Sequence, residues 1–162
     1  MPTLAIGMTL PEARLSVMTE NGPGLVELTA KLAGRKTVLF GLPGAFTGTC
    51  STIHLPSFIR TIEAFKAKGV AEVFCIAVND PFVLKAWGDA TGATKAGITL
   101  LGDADGSFTK AIGMDFSVAA IGLFGRSSRY ALVLENGVVT HASIDAPNVC
   151  NLSTGEALLE TL

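Results

Sequence analysis

Three cysteines stand at positions 50, 75 and 150, and each is a nucleophile once ionised. Cys50 closes the segment Pro43-Gly44-Ala45-Phe46-Thr47-Gly48-Thr49-Cys50, with the Thr47 hydroxyl three residues before it and His54 four residues after it. A cysteine at the start of a helix meets unpaired backbone N–H groups and the positive end of the helix dipole. In such settings the thiol pKa drops from about 8.5 to about 3.5–7.5, which makes thiolate the main form at neutral pH. Thr47 is close enough in a tight first turn to donate to that sulfur or to a bound oxygen. Pro43 lacks an N–H and can shield the site. The same residues also fit a plain structural role, with Thr47 as an N-cap, Pro43 as a turn residue and Cys50 as a buried thiol. His54 suggests a Cys–His dyad with imidazole as base, but no local signal supplies an oxyanion hole or an orienting Asn or Asp. A histidine packed at the helix surface is the favoured reading, and His141 falls on an outer hairpin strand.

The elements around these residues follow from periodicity. Thr37 to Leu42 and Val73 to Val78 are apolar, β-branched runs suited to strands covered on both faces. Between them Leu55, Phe58, Ile59, Ile62 and Phe65 recur at helical spacing, with Arg60, Glu63, Lys66 and Lys68 opposite and Gly69 as a stop. Strand, helix and strand form a right-handed crossover, which puts Cys50 between a buried strand and the first helical turn. Asp80-Pro81 predicts an N-cap and a helix through Trp87, and Ser107 to Ile112 a shorter helix. Asn136-Gly137 between Tyr130–Leu134 and Val138–Ile144 predicts a hairpin with a type I′ turn. Ser153-Thr154-Gly155-Glu156 reads as a capping box for a last helix through Leu159. The predicted class is an α/β sandwich, a central mixed sheet flanked by helices.

Composition bounds the partners. With 162 residues, 49% apolar and 16% charged, one domain covering residues 1–162 is expected. A net charge of −2 leaves no basic surplus for nucleic acid. The longest stretch without a polar side chain, Val118 to Gly125, is too short to span a membrane, and Met1-Pro2-Thr3-Leu4 lacks the features of a signal peptide. A cytoplasmic protein is expected. An odd number of cysteines without Cys-x-x-Cys argues against a disulfide framework, a zinc site and a thiol–disulfide oxidoreductase.

Pro43, Thr47 and Cys50 fill the pattern Pro-x-x-x-Thr-x-x-Cys, which resembles the active-site signature of peroxiredoxins. The longer string PGAFTGTCSTIHLPSF is similar to the type II, or peroxiredoxin-five, subfamily. Cys75-Ile76-Ala77-Val78-Asn79-Asp80-Pro81-Phe82-Val83, Lys85-Ala86-Trp87 and Arg126-Ser127-Ser128-Arg129-Tyr130 extend the likeness over nearly the whole chain. Gly48 departs from it, standing where relatives usually carry Pro.

The resemblance implies a thioredoxin-like fold and a thiol peroxidase for hydrogen peroxide, alkyl hydroperoxides and peroxynitrite, with no cofactor and no metal. It implies that Cys50 becomes a sulfenic acid and that Arg129, in preference to Arg126, stabilises the thiolate and polarises the O–O bond. The sulfenic acid must then condense with a thiol. An external glutaredoxin, thioredoxin or glutathione thiol comes first. Cys150 comes second, in the region where mammalian peroxiredoxin-five carries its resolving cysteine but about two residues early. Cys75 comes third, at the place of a second cysteine in plant type II enzymes. The resemblance also implies a homodimer across the site loops, with Phe46 and Pro81-Phe82 in contact. The rival is a thioredoxin-like redox sensor or binding module that signals through Cys50.

Overall fold

The computed structural model describes residues 4–146 and 149–162; Met1 to Thr3, Pro147, Asn148 and the side chains of Cys50 and Ser51 lie outside the described residues. Seven strands form one sheet in the order β2 (Gly22–Glu27), β1 (Arg14–Thr19), β5 (Ile98–Gly102), β4 (Glu72–Ala77), β3 (Lys36–Gly41), β8 (Tyr130–Glu135) and β9 (Val138–Ile144). In its interior β3 is parallel to β4, which is parallel to β5. On the other side β3 pairs antiparallel with β8 (Tyr130–Glu135), and β8 with β9 (Val138–Ile144). The mixed sheet expected from the pattern is present.

The two predicted central strands begin and end one residue earlier than their apolar runs. The reason lies in the ladder: Thr37 to Gly41 stand opposite Glu72 to Ile76, and the chain leaves the sheet at Leu42 to enter the Cys50 loop. Between β3 and β4 lies α2 (Leu55–Ala67), which buries Leu55, Phe58, Ile62 and Phe65 on one face of the sheet, as its stripe requires. Helices α3 (Pro81–Thr91) and α6 (Gly155–Leu159) share that layer. α3 is opened by Asp80, which accepts a bond from the Val83 N–H, and runs four residues past Trp87 before Gly92 stops it with φ +83°. The short helices α1 (Leu28–Leu32) and α5 (Ser107–Ala111) cover the opposite face with a second core built on Leu39, Phe74, Ile76 and Leu132.

The β8–β9 turn has φ of +52° at Asn136 and +76° at Gly137, the two positive values that a type I′ turn demands. Several elements had no counterpart in the sequence reading: α1, β5, α4 (Ala93–Ala96), the outer hairpin of β1 (Arg14–Thr19) and β2 (Gly22–Glu27), and the small hairpin of β6 (Asp115–Val118) and β7 (Leu123–Ser127). Asn21-Gly22 was the available turn signal for the first hairpin. Among the described residues no helix is long and apolar enough to cross a membrane.

The last cap is displaced by one residue from the predicted capping box. Thr154, not Ser153, is the N-cap, its hydroxyl accepting from the Ala157 N–H at 3.2 Å, while Glu156 pairs with Arg60 at 2.9 Å. Ser153 is fully buried and donates its hydroxyl to the Asp145 carboxylate instead. A buried hydroxyl facing a buried carboxylate has a stronger claim on that bond than a helix N–H open to water.

Candidate active site

The loop that leaves β3 is fixed from three sides. Arg126 Nη1 donates to the Pro43 carbonyl at 3.0 Å, the Ala45 N–H donates to Asn79 Oδ1 at 2.9 Å, and Thr47 Oγ1 donates to the Gly44 carbonyl at 2.6 Å. Phe46, at φ +63°, is one of two non-glycine residues at positive φ among the described residues, a costly backbone state held only by such restraints. The chain then enters a π-helical turn, Cys50–His54, before α2 begins. Wide turns of this kind are rare and mark functional positions in helices. Cys50 therefore belongs to the helical entry that its sequence predicts, although its side chain lies outside the described residues.

A cavity of about 310 Å³ opens beside this turn. Pro43, Thr47 and Gly48 line one wall, Ser128 and Arg129 another, and Phe116, Val118, Ile121 and Leu123 of the β6–β7 hairpin make an apolar third. Pro43 and Thr47 of one loop thus meet Arg129, far along the sequence, at one site. A larger cavity of about 470 Å³ lies between β1, α3 and β5 and holds none of the predicted site residues. Its size carries less weight than the chemistry of the smaller one. Arg126, which the sequence reading set aside in favour of Arg129, anchors Pro43. With Asn79 it is a site residue that sequence reasoning missed, and its partner lies 83 residues away, beyond any local pattern.

His54 requires a correction. It is not on the helix surface but fully buried, its ring centroid 5.2 Å from that of Phe40 and 5.8 Å from that of Phe58. Nε2 lies 2.9 Å from the Ser153 carbonyl oxygen, which can only accept, so Nε2 carries the proton. Nδ1 is buried with no hydrogen-bond partner. Burial, with the Arg129 charge as a smaller contribution, lowers the pKa from 6.5 to about 4 against the opposing pull of the Ser153 carbonyl and Asp145. A neutral imidazole already committed to a carbonyl does not suit the base of a Cys–His dyad.

The two other thiols differ in setting. Cys75 is fully buried in β4, opposite Phe40 and Leu100 on the neighbouring strands. Cys150 is half-buried in the loop after β9. Asp145 ties that loop down: its carboxylate accepts from the N–H groups of Asn151, Leu152 and Ser153 at 2.7–3.0 Å and from the Ser153 hydroxyl. Partial burial pushes the Asp145 pKa up, but these donors outweigh it and hold the carboxyl below its ordinary value.

Comparison with known proteins gives the same direction as the geometry. The family model described as Redoxin matches residues 5–159. Peroxiredoxin-2C of Oryza sativa subsp. japonica is 41% identical over 163 residues, and Peroxiredoxin-2C of Arabidopsis thaliana 38%, each alignment spanning all of both chains. Among solved structures, reduced Prx3 in complex with H2O2 from Vibrio vulnificus superposes with a TM-score of 0.92 at 44% identity, covering 98% of this chain and 99% of that one. Peroxiredoxin 5 from Alvinella pompejana gives 0.84 at 29%, covering 98% and 97%. A thioredoxin-like mixed sheet, a cysteine-bearing turn after its interior strand β3 and full-length likeness to these enzymes converge: the chain belongs to the redoxin family, as a peroxiredoxin of type II, and is a thiol-dependent peroxidase.

Proposed function

We propose that Cys50 is the attacking sulfur and that the 310 Å³ cavity is where the hydroperoxide lies. The observation that carries this reading is the convergence of Pro43, Thr47 and Arg129 on one cavity beside the Cys50 turn. The thiolate attacks the terminal peroxide oxygen, the O–O bond breaks, and the leaving alkoxide takes a proton to depart as water or alcohol. Sulfur keeps the other oxygen as a sulfenic acid. Arg129 donates to the peroxide oxygens as negative charge moves onto the leaving one, and Thr47, whose one hydroxyl proton goes to the Gly44 carbonyl, offers Oγ1 as an acceptor to the peroxide O–H. The apolar wall of Phe116, Val118, Ile121 and Leu123 favours alkyl hydroperoxides alongside hydrogen peroxide.

An external thiol of the glutaredoxin, thioredoxin or glutathione type resolves the sulfenic acid. The full burial of Cys75 and the anchoring of the Cys150 loop by Asp145 support this route over either internal thiol. A disulfide needs Cα atoms within about 7 Å, and neither cysteine has free approach while those restraints hold. A homodimer across the site loops is supported by the exposure of Phe46 (59%) and Phe82 (63%), an apolar area a monomer leaves in water.

Single-turnover peroxide consumption on Cys50→Ser and Arg129→Ala tests the assignment. Cys50→Ser is expected to abolish the reaction and Arg129→Ala to slow it by about a hundredfold or more. Full activity in Cys50→Ser would overturn it.

A further inference from the structure

The π turn that carries Cys50 makes little of its own support. Five residues of wide helix form few internal bonds, and such turns persist only where the surroundings hold them. Here the support comes from His54, the last residue of the turn. Its ring is wedged against Phe40 and Phe58, and its Nε2–H is given to Ser153. A second strand of bonds runs in parallel: Ser57 Oγ donates to the His54 carbonyl at 2.6 Å and accepts from the Gly155 N–H at 2.8 Å.

Ser153 in turn is held by Asp145 through its N–H and its hydroxyl, in the same grip that closes the ends of the Cys150 loop. The Asp145 N–H donates to the Arg129 carbonyl at 3.1 Å. One continuous path of hydrogen bonds therefore joins the backbone at Arg129, the loop of Cys150 and the turn of Cys50. Each link is short, and the His54 and Ser153 side chains within it are fully buried, so a break at one point leaves the next group without a partner.

We propose that His54 is a positioning residue for the peroxidase reaction: its bond to Ser153 locks the Cys50 turn to the Cys150 loop, so that the two cysteine segments open together. This rests on Cys50 as the attacking sulfur. The closed state presents the turn to hydroperoxide. The open state presents the sulfenic acid to a thiol, whose sulfur attacks Cys50 sulfur as the S–O bond breaks and water leaves. A sulfenic acid kept in the closed state meets a second hydroperoxide, whose O–O bond breaks to give sulfinic acid and an alcohol. His54 thereby sets the division between resolution and overoxidation.

The test uses full-length His54→Phe, His54→Gln and Asp145→Asn with two readouts. The first is hydrogen exchange of amides 50–54 and 149–153 in the reduced protein. The second is the sulfinic fraction by intact mass after graded tert-butyl hydroperoxide with glutathione present. His54→Phe keeps a ring between Phe40 and Phe58 but loses the donor; exchange in both segments should rise, and the sulfinic fraction fall, by about fivefold to tenfold. His54→Gln restores an N–H at the same reach and should return both readouts to within about twofold of the parent.

Asp145→Asn acts from the loop side and should speed exchange at 50–54 as well, which keeps the test intact if His54→Phe does not fold. Exchange that rises in one segment alone, a sulfinic fraction that does not move, or Gln behaving as Phe would overturn the proposal. If Cys50 were the wrong sulfur, sulfinic acid would still form in Cys50→Ser while the exchange coupling stood, so the two failures are distinct.

Discussion

Acid should weaken this protein in a window set by His54. In the folded state its ring stays neutral down to about pH 4, whereas in the unfolded chain it takes a proton near 6.5. Below pH 6.5 the unfolded state therefore binds more protons, and stability falls as pH falls, levelling off once the folded state protonates near pH 4. At about 1.36 kcal/mol per pH unit, the full gap is worth roughly 3 kcal/mol, and the step from pH 7 to pH 5 alone roughly 2 kcal/mol. Burial is the largest influence against the imidazolium; the Ser153 carbonyl favours it, Arg129 opposes it and Asp145 favours it. Asp145 itself acts in a separate window, because a carboxyl held below 3.8 loses its stabilising bonds only under more acid conditions. Urea unfolding at pH 7, 6 and 5, read as midpoint at constant m-value, measures the slope directly. His54→Phe supplies the control, since it keeps the ring packing and removes the titration. Parent and variant lines that run parallel between pH 7 and 5 would refute the reasoning.

Gly155→Ala should cost about 1–3 kcal/mol by urea unfolding, because a Cβ there would press on Thr61 Oγ1 and come within 2.5 Å of the Ser57 carbonyl oxygen where α6 meets α2. A neutral result would mean the two helices separate freely. Arg126→Ala removes the donor that holds the Pro43 carbonyl and should lower kcat/KM for hydroperoxide by about tenfold with the fold retained. Unchanged kinetics would show that Asn79 alone secures the loop. Cys75→Ser should leave peroxide consumption with glutathione as donor unchanged, and a large loss would bring the buried thiol into the cycle.

What could be read from the sequence was local. Asn136-Gly137 sets its own turn, Asp80-Pro81 its own helix start, and the Leu55–Phe65 stripe its own face. The Pro43, Thr47 and Cys50 spacing pointed to the site because it lies in one loop and one turn. Arg129 came from likeness, since β8 reaches the loop only through the sheet. Arg126 and Asn79 were missed for the same reason, each meeting the Pro43–Ala45 backbone across a long chain separation. His54 was misplaced although a signal existed: it extends the buried stripe of Phe58, Ile62 and Phe65 by one turn. The favoured surface placement passed over the face that it shares with the core. Ser153 was misread because its true partner, Asp145, comes eight residues earlier and outside any helix-start pattern.

The grip of Asp145 has an evolutionary consequence. By collecting the N–H groups of residues 151 to 153, one carboxylate fixes where the loop leaves β9 and where it rejoins α6. Because one carboxylate pins both ends, a change in the length of this loop need shift neither β9 nor α6, and closing a longer loop costs an entropy that grows only slowly. Variation among relatives at this point of the chain can therefore stay confined to the loop while the sheet and its last helix keep their places.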